Sequence, residues 1–332
     1  MMMKLTLMKR FFDTVDEEWR SPILDEIAAM WLGGEKTVRI LRASANFVAI
    51  VNHAEQKYFL RFNHSSERTT EFIEAELNYI RHLASQGICA NRPVRSLSGR
   101  YVESVSTEMG VFHAVLFEAA EGVHRELADL DLEGFERWGR ALGEVHEASV
   151  GYSDSAIPAW TDEAATVRRI LPKTEEVILR ELEAVEKKLK VLQVNDRNYG
   201  IIHYDFELDN LLWEDEVVRI IDFDDCVRYW FVMDFACALQ DLFDEHSGGF
   251  DVTEERFTAF LRGYRSVRMM PDEEIALIPL FVRLDHIYVY ARLYRSTLEG
   301  PMPGEPQWTT DLRDKLRKVN EAYLREIVDD PL

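Results

Sequence analysis

The sequence predicts an α+β protein of two lobes, in which a sheet-rich N-terminal part precedes a larger and mostly helical C-terminal part. Within the first 120 residues, short runs with strand character surround a single long helical segment. Beyond them, apolar residues recur at helical spacing in several longer segments. A chain of 332 residues with 47% hydrophobic content can bury two cores. We therefore predict domains at residues 1–120 and 121–332.

The N-terminal elements follow from apolar spacing and from the turn residues between them. A helix is predicted over 14–32, because two glycines stop the pattern there. A second helix is predicted over 69–85, where the apolar residues share one face. Strands rich in β-branched and aromatic residues are predicted over 37–41, 47–52, 58–62, 101–106 and 111–117.

The C-terminal elements are predicted to be mainly helices, with short strands and loops over 199–218. The helical segments are 132–148, 161–192 in one or two pieces, 231–243, 253–269, 272–298 and 311–327.

The formal charge of −21 makes nucleic acid and anionic membrane surfaces poor partners. It favours a cationic or amine-bearing substrate, although a solvated acidic surface is the simpler explanation. The three cysteines, Cys89, Cys226 and Cys237, are scattered, which fits a reducing compartment rather than a disulfide framework. The sequence shows neither a secretory leader nor an apolar run long enough to span a bilayer, so we expect a cytoplasmic protein.

A polar run in the C-terminal part gives the clearest indication of chemistry. His203 and Asp205 precede Asn210, and an apolar strand then leads to Asp222 and Asp224. Phosphoryl transfer from ATP needs a carboxylate beside the acceptor hydroxyl and oxygen ligands for Mg²⁺. Asp205 suits the first task, and Asn210 with Asp222 suits the second.

The spacing between Asn210 and Asp222 predicts that they share one site. Residues 211–213 and 217–221 have the character of two short strands joined by a tight turn. Such a hairpin would place Asn210 and Asp222 side by side at its open end. His203 is expected to hold the loop rather than to react.

With these residues the chain resembles the kinase-like phosphotransferases, which include aminoglycoside phosphotransferases, choline kinases and type II homoserine kinases. The likeness is carried by His203-Tyr204-Asp205, Asn210, Ile221-Asp222-Phe223-Asp224 and Asp234. It implies a protein-kinase-like fold and transfer of the γ-phosphoryl group of ATP, with Mg²⁺, to a hydroxyl group of a small metabolite or aminoglycoside-like acceptor.

The resemblance implies a role for each matching residue. Asp205 corresponds to the catalytic base, and Asn210 and Asp222 correspond to magnesium ligands. Asp224 matches a position that is often acidic and assists metal or substrate binding. Asp234 resembles a carboxylate that braces the catalytic loop.

The resemblance extends upstream into the predicted nucleotide-binding part. Arg61 lies on the third strand, where the family presents a cation to the α- and β-phosphates of ATP. Glu76 matches the helix glutamate that pairs with that cation. Ser44 and Asn46 lie in the loop that would cover the nucleotide. The likeness covers roughly residues 37–245.

Three departures from the family pattern distinguish this chain. Arg61 replaces the usual lysine, and a planar guanidinium contacts phosphates differently from an ammonium group. The loop around Ser44 contains no glycine. Tyr204 replaces the glycine of the catalytic loop, where it would narrow the acceptor pocket or supply a hydroxyl group to it.

The region after the metal motif favours a small acceptor. Only about ten residues separate Asp225 from the helix near Asp234, whereas protein kinases use a longer activation segment to dock a peptide. Further along, Asp285, Tyr288 and Arg292 share one helical face. That face would line the acceptor pocket together with Tyr204, or would be an aromatic core face with buried hydrogen bonds.

Two other interpretations remain open at this point. One is a Ser/Thr protein kinase on the same fold. The other is a catalytically silent nucleotide-binding protein, which Arg61 and the glycine-free loop favour.

Overall fold

The computed structural model describes residues 2–244 and 251–332. The chain divides into two compact units, each made of three segments. The first unit comprises Met1–Leu77, Arg92–Ala119 and Val289–Glu326, and the second comprises Asn78–Asn91, Ala120–Tyr288 and Ile327–Leu332. This division groups residues near the C-terminus with the first unit, and the predicted boundary at residue 120 stays a prediction.

The first unit is built on a six-stranded antiparallel sheet. The strands are β1 (Thr37–Ala43), β2 (Phe47–His53), β3 (Gln56–His64), β4 (Pro93–Val94), β5 (Glu103–Thr107) and β6 (Gly110–Glu118). Their order is β1-β2-β3-β6-β4, and β5 pairs with β6. The five predicted strands are confirmed, and only the two-residue β4 is added to them.

Five helices lie wholly or partly in the first unit. They are α1 (Leu5–Phe12), α2 (Pro22–Ala28), α3 (Thr70–Ser85), α11 (Ile278–Thr297) and α12 (Gln307–Asp329). The boundaries between the units fall within α3, α11 and α12.

The predicted helix over 14–32 is wrong, because only Pro22–Ala28 (α2) is helical within it, and α1 ends before it at Phe12. Ser21 starts the second helix by accepting a hydrogen bond at its side chain from the backbone N–H of Ile23, at 3.3 Å. Pro22 occupies the first helical turn, where its missing N–H costs nothing. The apolar spacing was correct for α2 alone.

Aromatic rings form the centre of the first unit's core. Phe47 and Phe62 stack at 5.1 Å, and Phe11 of α1 contacts both of them. Leu312 and Leu316 of α12 pack against the same cluster. Burial of apolar area of this kind stabilises a fold by about 25 cal/mol per Å².

The second unit is mostly helical and carries two short antiparallel pairs of strands. Its remaining helices are α4 (Leu132–Ser149), α5 (Trp160–Ile170), α6 (Glu176–Leu189), α7 (Val232–Ala238), α8 (Gln240–Asp244), α9 (Glu255–Arg265) and α10 (Asp272–Ile275). Its strands are β7 (Tyr199–Ile202), β8 (Leu211–Glu214), β9 (Val217–Ile220) and β10 (Val227–Trp230). β7 pairs with β10, and β8 pairs with β9, both antiparallel.

The helical predictions for this part are confirmed as regions and corrected in detail. Residues 161–192 form the two helices α5 and α6, which Pro172 separates. The predicted helices over 231–243 and 272–298 are each broken once. Among the helices of the described ranges, none is both long and apolar enough to cross a membrane.

Two glycines let α4 and α9 approach each other closely. A Cβ atom built on Gly139 of α4 would lie 1.9 Å from the carbonyl oxygen of Phe260. A Cβ atom on Gly263 of α9 would lie 1.9 Å from the carbonyl oxygen of Glu136. Any side chain at either position would therefore force the helix backbones apart.

This packing predicts that Gly139→Ala destabilises the protein by about 1–3 kcal/mol, even though alanine favours helix. Gly33→Ala is the matched control, because no atom lies within 4 Å of a Cβ built there. Thermal unfolding of both variants checks the prediction. Equal melting temperatures for the two would contradict it.

Candidate active site

The loop that carries the predicted catalytic residues runs from β7 to β8 in the second unit. His203 is fully buried in it. Its Nδ1 accepts a hydrogen bond from the backbone N–H of Asp205 at 3.2 Å, and its Nε2 faces the carbonyl oxygen of Ile221 at 3.0 Å. This arrangement requires the tautomer with the proton on Nε2. His203 thus ties the loop to the end of the following hairpin through these hydrogen bonds.

Asp205 and Asn210 contact each other directly. The amide nitrogen of Asn210 donates to Oδ2 of Asp205 at 2.7 Å and to the carbonyl oxygen of Asp205 at 2.9 Å. Burial raises the pKa of the Asp205 carboxyl group, His203 and Asn210 oppose the shift, and Asp225 and Asp224 increase it. The amide nitrogen is used by Asp205, so the side-chain oxygen of Asn210 is the atom suited to another ligand.

The predicted hairpin after this loop is confirmed. Leu211 pairs with Ile220 at its open end, and the carbonyl oxygen of Asn210 accepts from the N–H of Ile221 at 3.0 Å. Asn210 directly precedes β8, and Asp222 follows β9 by two residues. The register therefore brings Asn210 and Asp222 to the same end of the hairpin.

Asp222 has a left-handed backbone, with φ of +62°. Aspartate adopts this conformation more readily than most residues, although it remains uncommon outside glycine. Asp222 is half-buried, whereas Asp224 is 6% exposed. The carboxylates of Asp224 and Asp225 both act electrostatically on Asp205. The motif thus gathers several acidic groups around the predicted base.

Asp234, at the start of α7, holds the catalytic loop through its backbone. Its Oδ2 accepts from the N–H of His203 at 3.0 Å, and its Oδ1 accepts from the N–H of Tyr204 at 2.7 Å. Nε2 of His146 lies 2.9 Å from the same Oδ2, and Nδ1 of His146 contacts the hydroxyl group of Tyr264 at 2.9 Å. Asp234 and His146 are fully buried. The predicted bracing position is therefore filled by a hydrogen-bonded carboxylate.

Tyr204 lies between these contacts with a φ of +72°. A left-handed backbone is an outlier for a bulky aromatic residue and costs about 1–3 kcal/mol. The Tyr204 side chain is 5% exposed, and its hydroxyl group donates to Oδ1 of Asp285 on α11 at 2.9 Å. Asp285 is itself 6% exposed. The structure thus brings together two of the four residues predicted for the acceptor pocket.

The other two residues of that predicted group have different surroundings. The hydroxyl group of Tyr288 pairs with that of Tyr229 at 2.7 Å and contacts the carbonyl oxygen of Trp160 at 3.3 Å. Tyr288 is 1% exposed, which favours the aromatic-core interpretation for this side chain. Arg292 belongs to the first unit. Acceptor roles for Tyr288 and Arg292 stay predictions.

Glu207 stands among carboxylates, of which Asp205 and Asp209 are its sequence neighbours and Asp241 and Asp285 come near it only through folding. Burial raises its pKa to about 8, and the charges of Asp205, Asp241, Asp285 and Asp209 increase the shift. The side chain is half-buried rather than solvated. Because like charges in a poorly solvated region repel one another, this surface would favour a cation.

In the first unit, the predicted nucleotide residues lie on β3, α3 and the loop between β1 and β2. Both terminal nitrogens of Arg61 donate to the two carboxylate oxygens of Glu76, at 2.8 and 2.6 Å. Both side chains are buried, at 6% and 0% exposure. The predicted ion pair is therefore present, and its role toward a nucleotide stays a prediction.

Hydrogen bonds stabilise the loop that contains Ser44 and Asn46. The N–H of Ser44 donates to the carbonyl oxygen of Asn46 at 3.0 Å. The side chain of Asn46 is 2% exposed and accepts a hydrogen bond from Asn63. This contact gives Asn46 a structural task inside the loop, while Ser44 is half-buried.

Two functional features lay beyond the sequence patterns. One is His146 on α4, to which the structure gives Asp234 as partner. Tyr264 and the distant carboxylates Asp241 and Asp285 near Glu207 carry no local signal, because chain folding alone brings them to their partners. Asp205 and Asp209, by contrast, flank Glu207 in the sequence. Over the residues that the structure describes, no group of three or more His, Cys, Asp or Glu side chains is arranged to hold a metal ion.

Comparisons with known proteins identify the family and the fold. A family model described as the phosphotransferase enzyme family matches residues 37–270. Amicoumacin kinase of Bacillus subtilis (strain 168) is 28% identical over 287 residues, which cover 82% of this chain and 84% of that protein. Homoserine kinase of Rhizobium meliloti (strain 1021) is 26% identical over 236 residues, covering 68% of this chain and 69% of that protein.

A solved structure shows the same fold. It is an amicoumacin kinase in complex with AMP-PNP, Ca²⁺ and Ami, with a TM-score of 0.75 and 24% identity, covering 95% of this chain and 96% of that chain. The predicted kinase-like α+β fold and the predicted phosphotransferase class are confirmed. By the extent of the family match, the chain belongs to the phosphotransferase enzyme family.

Proposed function

We propose that this protein transfers the γ-phosphoryl group of ATP to a hydroxyl group of a small, amine-bearing acceptor. The observation that carries the proposal is the contact between Asp205 and Asn210 on a loop that His203 and Asp234 hold in place. Phosphoryl transfer depends mainly on positioning and electrostatic stabilisation, and a braced loop of this kind supplies positioning.

Asp205 is the proposed base. Its carboxylate would accept the proton of the acceptor hydroxyl group while the acceptor oxygen forms a bond to the γ-phosphorus. The bond between the γ-phosphorus and the β–γ bridging oxygen breaks, and ADP leaves with the electron pair. The hydrogen bond from Asn210 fixes the orientation of Oδ2, which leaves Oδ1 as the proposed proton acceptor.

The residues at the hairpin end fit a divalent cation of the magnesium type. Asn210 offers its side-chain oxygen, and Asp222 with Asp224 offers carboxylate oxygens. Magnesium prefers such hard ligands and completes its shell with water and phosphate oxygens, so a small set of protein ligands suffices. When bound, the ion would neutralise charge that develops on the phosphates.

We assign nucleotide binding to residues 1–120 and catalysis with acceptor binding to residues 121–332. Arg61 is the proposed cation for the α- and β-phosphates, and Glu76 orients it through a bidentate ion pair. Ser44 and Asn46 would present the loop between β1 and β2 to the nucleotide. An arginine in this task gives planar, two-pronged contact with phosphate oxygens.

The proposal of an amine-bearing acceptor rests on charge. Glu207 lies among Asp205, Asp241 and Asp285, so an ammonium group near it would relieve repulsion between carboxylates. Two relatives are named for amicoumacin and homoserine as substrates, and homoserine carries both an amino and a hydroxyl group. These names support a small hydroxylated amine as the acceptor class.

The proposal predicts that Asp205→Asn lowers acceptor-dependent ADP release by roughly 10²–10⁴-fold, because the acceptor proton loses its base. Release of ADP across a panel of hydroxylated amines measures the effect. Asp215→Asn, at the exposed turn of the same hairpin, is the control and should keep wild-type turnover. Removal of divalent ions with EDTA should stop turnover, and Mg²⁺ should restore it.

Two results would redirect this proposal. Thermal stabilisation by Mg²⁺-ATP without any turnover that depends on Asp205 would indicate a silent nucleotide-binding protein. Transfer of labelled phosphate to a peptide library, with none to the metabolite panel, would indicate a protein kinase.

For the acceptor class, we expect Glu207→Gln to raise the KM for an amine-bearing acceptor by about tenfold, equivalent to roughly 1.4 kcal/mol. The KM for ATP should stay within about twofold, because the nucleotide is assigned elsewhere in the chain. Glu133→Gln, on the exposed first turn of α4, is the matched control. An equal loss with the amine and with its deaminated analogue would argue against recognition of the amino group.

The raised pKa of Glu207 also predicts a pH dependence of stability in the metal-free protein. The folded state holds a proton up to a pH of about 8, whereas the unfolded chain releases it near the ordinary value of 4.5. This group therefore lowers the free energy of unfolding as pH rises from about 4.5 to about 8.

In Glu207→Gln the side chain stays neutral at every pH. We expect the variant to match wild type near pH 5 and to be more stable near pH 9, by on the order of 1–3 kcal/mol. Urea unfolding in EDTA at the two pH values measures the difference. A constant offset across this range would show that the carboxylate is not held protonated.

A further inference from the structure

Tyr204 is held at both ends by buried carboxylates from two different helices. Its backbone N–H donates to Asp234 on α7 at 2.7 Å, and its hydroxyl group donates to Asp285 on α11 at 2.9 Å. Tyr204 and Asp285 lie 81 positions apart in the sequence. The contact therefore tethers the catalytic loop to α11, far along the chain.

The backbone conformation of Tyr204 needs a compensating contact. Glycine adopts a φ of +72° without strain, whereas a residue with a Cβ atom does not. A bulky side chain persists in such a conformation only where its surroundings fix it. Two contacts fix the Tyr204 side chain. One is the hydrogen bond from its hydroxyl group to Asp285, and the other is the edge contact with the ring of Tyr229, at 6.4 Å between centroids.

Asp205 directly follows Tyr204, so any relaxation of Tyr204 changes the direction of the Asp205 side chain. The N–H of Asp205 is bonded to His203, and its Oδ2 is bonded to Asn210. Both contacts depend on the present backbone conformation of Tyr204, which sets the direction of the chain at Asp205. Loss of the hydrogen bond between Tyr204 and Asp285 would therefore first change the position of the Asp205 carboxylate.

We infer that Tyr204 is a positioning residue whose hydrogen bond to Asp285 holds the strained backbone before Asp205 and so aims the Asp205 carboxylate. The inference rests on the proposed phosphoryl transfer and assigns to Tyr204 a task different from lining the acceptor pocket. A positioning residue affects turnover more than substrate binding, which separates the two roles.

Tyr204→Phe removes only the hydroxyl group. We expect kcat to fall roughly tenfold to a hundredfold, because a small misplacement of a catalytic group costs this much. The KM for ATP and for the acceptor should stay within about twofold. A rise in acceptor KM with unchanged kcat would show that Tyr204 binds the acceptor, and would overturn the inference.

A double-mutant cycle with Asp285→Asn tests the partner. Because both single changes break the same hydrogen bond, kcat of the double variant should be close to that of the slower single variant. Asp285→Asn also removes a charge, so its acceptor KM alone is expected to rise. Additive losses in kcat would overturn the coupling.

Glycine and alanine at this position separate strain from packing. Tyr204→Gly accepts the left-handed backbone without a tether, so we expect it to recover most of the wild-type kcat. Tyr204→Ala keeps the strain without the tether and should remain as slow as Tyr204→Phe or slower. If the side chain served packing alone, glycine would be no better than alanine.

Tyr199→Phe is the control for loss of a hydroxyl group. The hydroxyl group of Tyr199 on β7 donates to the carbonyl oxygen of Arg228 on β10 rather than to a residue of the catalytic loop, and its loss should leave kcat unchanged. If the wild-type protein shows no acceptor-dependent turnover, the proposed function fails. The hydrogen bond between Tyr204 and Asp285 is then tested by the melting temperatures of the single and double variants. Additive melting losses for Tyr204→Phe and Asp285→Asn would then overturn the tether as well.

Discussion

The carboxylate of Asp234 is the contact on which the catalytic loop depends. It accepts hydrogen bonds from two successive backbone N–H groups, those of His203 and Tyr204, and from the ring of His146. Buried N–H groups need partners, and a buried carboxylate needs donors, so each side of this arrangement stabilises the other. Leaving a buried hydrogen-bonding group without its partner costs about 1–3 kcal/mol, and more for a charged group, which is a large part of the stability of a typical domain.

Strain accumulates on both sides of the same site. Tyr204 precedes the proposed base and Asp222 is a proposed metal ligand, and both have left-handed backbones. Such conformations persist where the surrounding structure over-determines them, and they concentrate at functional sites. Here the determining contacts are those of Asp234 and Asp285 for Tyr204, and the β8–β9 register for Asp222. The geometry of the proposed phosphoryl transfer is thus set before any substrate binds.

The sequence predicted what depends on near neighbours and missed what depends on distant ones. The spacing from Asn210 to Asp222 gave the hairpin correctly, because a tight turn fixes its register. The helix over 14–32 was wrong because apolar spacing outweighed the start signal at Ser21 and Pro22. The sequence placed Tyr204 and Asp285 in one predicted pocket, but their direct hydrogen bond could not be predicted, since 81 positions separate them and helical periodicity indicates a shared face but no bonding partner.

The carboxylates around Asp205 impose a cost that the proposed substrates would remove. Burial and neighbouring charges raise the pKa values of both Asp205 and Glu207, so the folded protein without ligands opposes full ionisation of this surface. A divalent cation at the hairpin end and an ammonium group near Glu207 would each add positive charge where repulsion is strongest. Binding would then lower the pKa of Asp205 and supply the ionised base that proton transfer requires. On this reasoning the carboxylates around Asp205 couple substrate binding to the ionisation of the base. The hydrogen bond between Tyr204 and Asp285 keeps the orientation of the Asp205 carboxylate fixed while its charge changes.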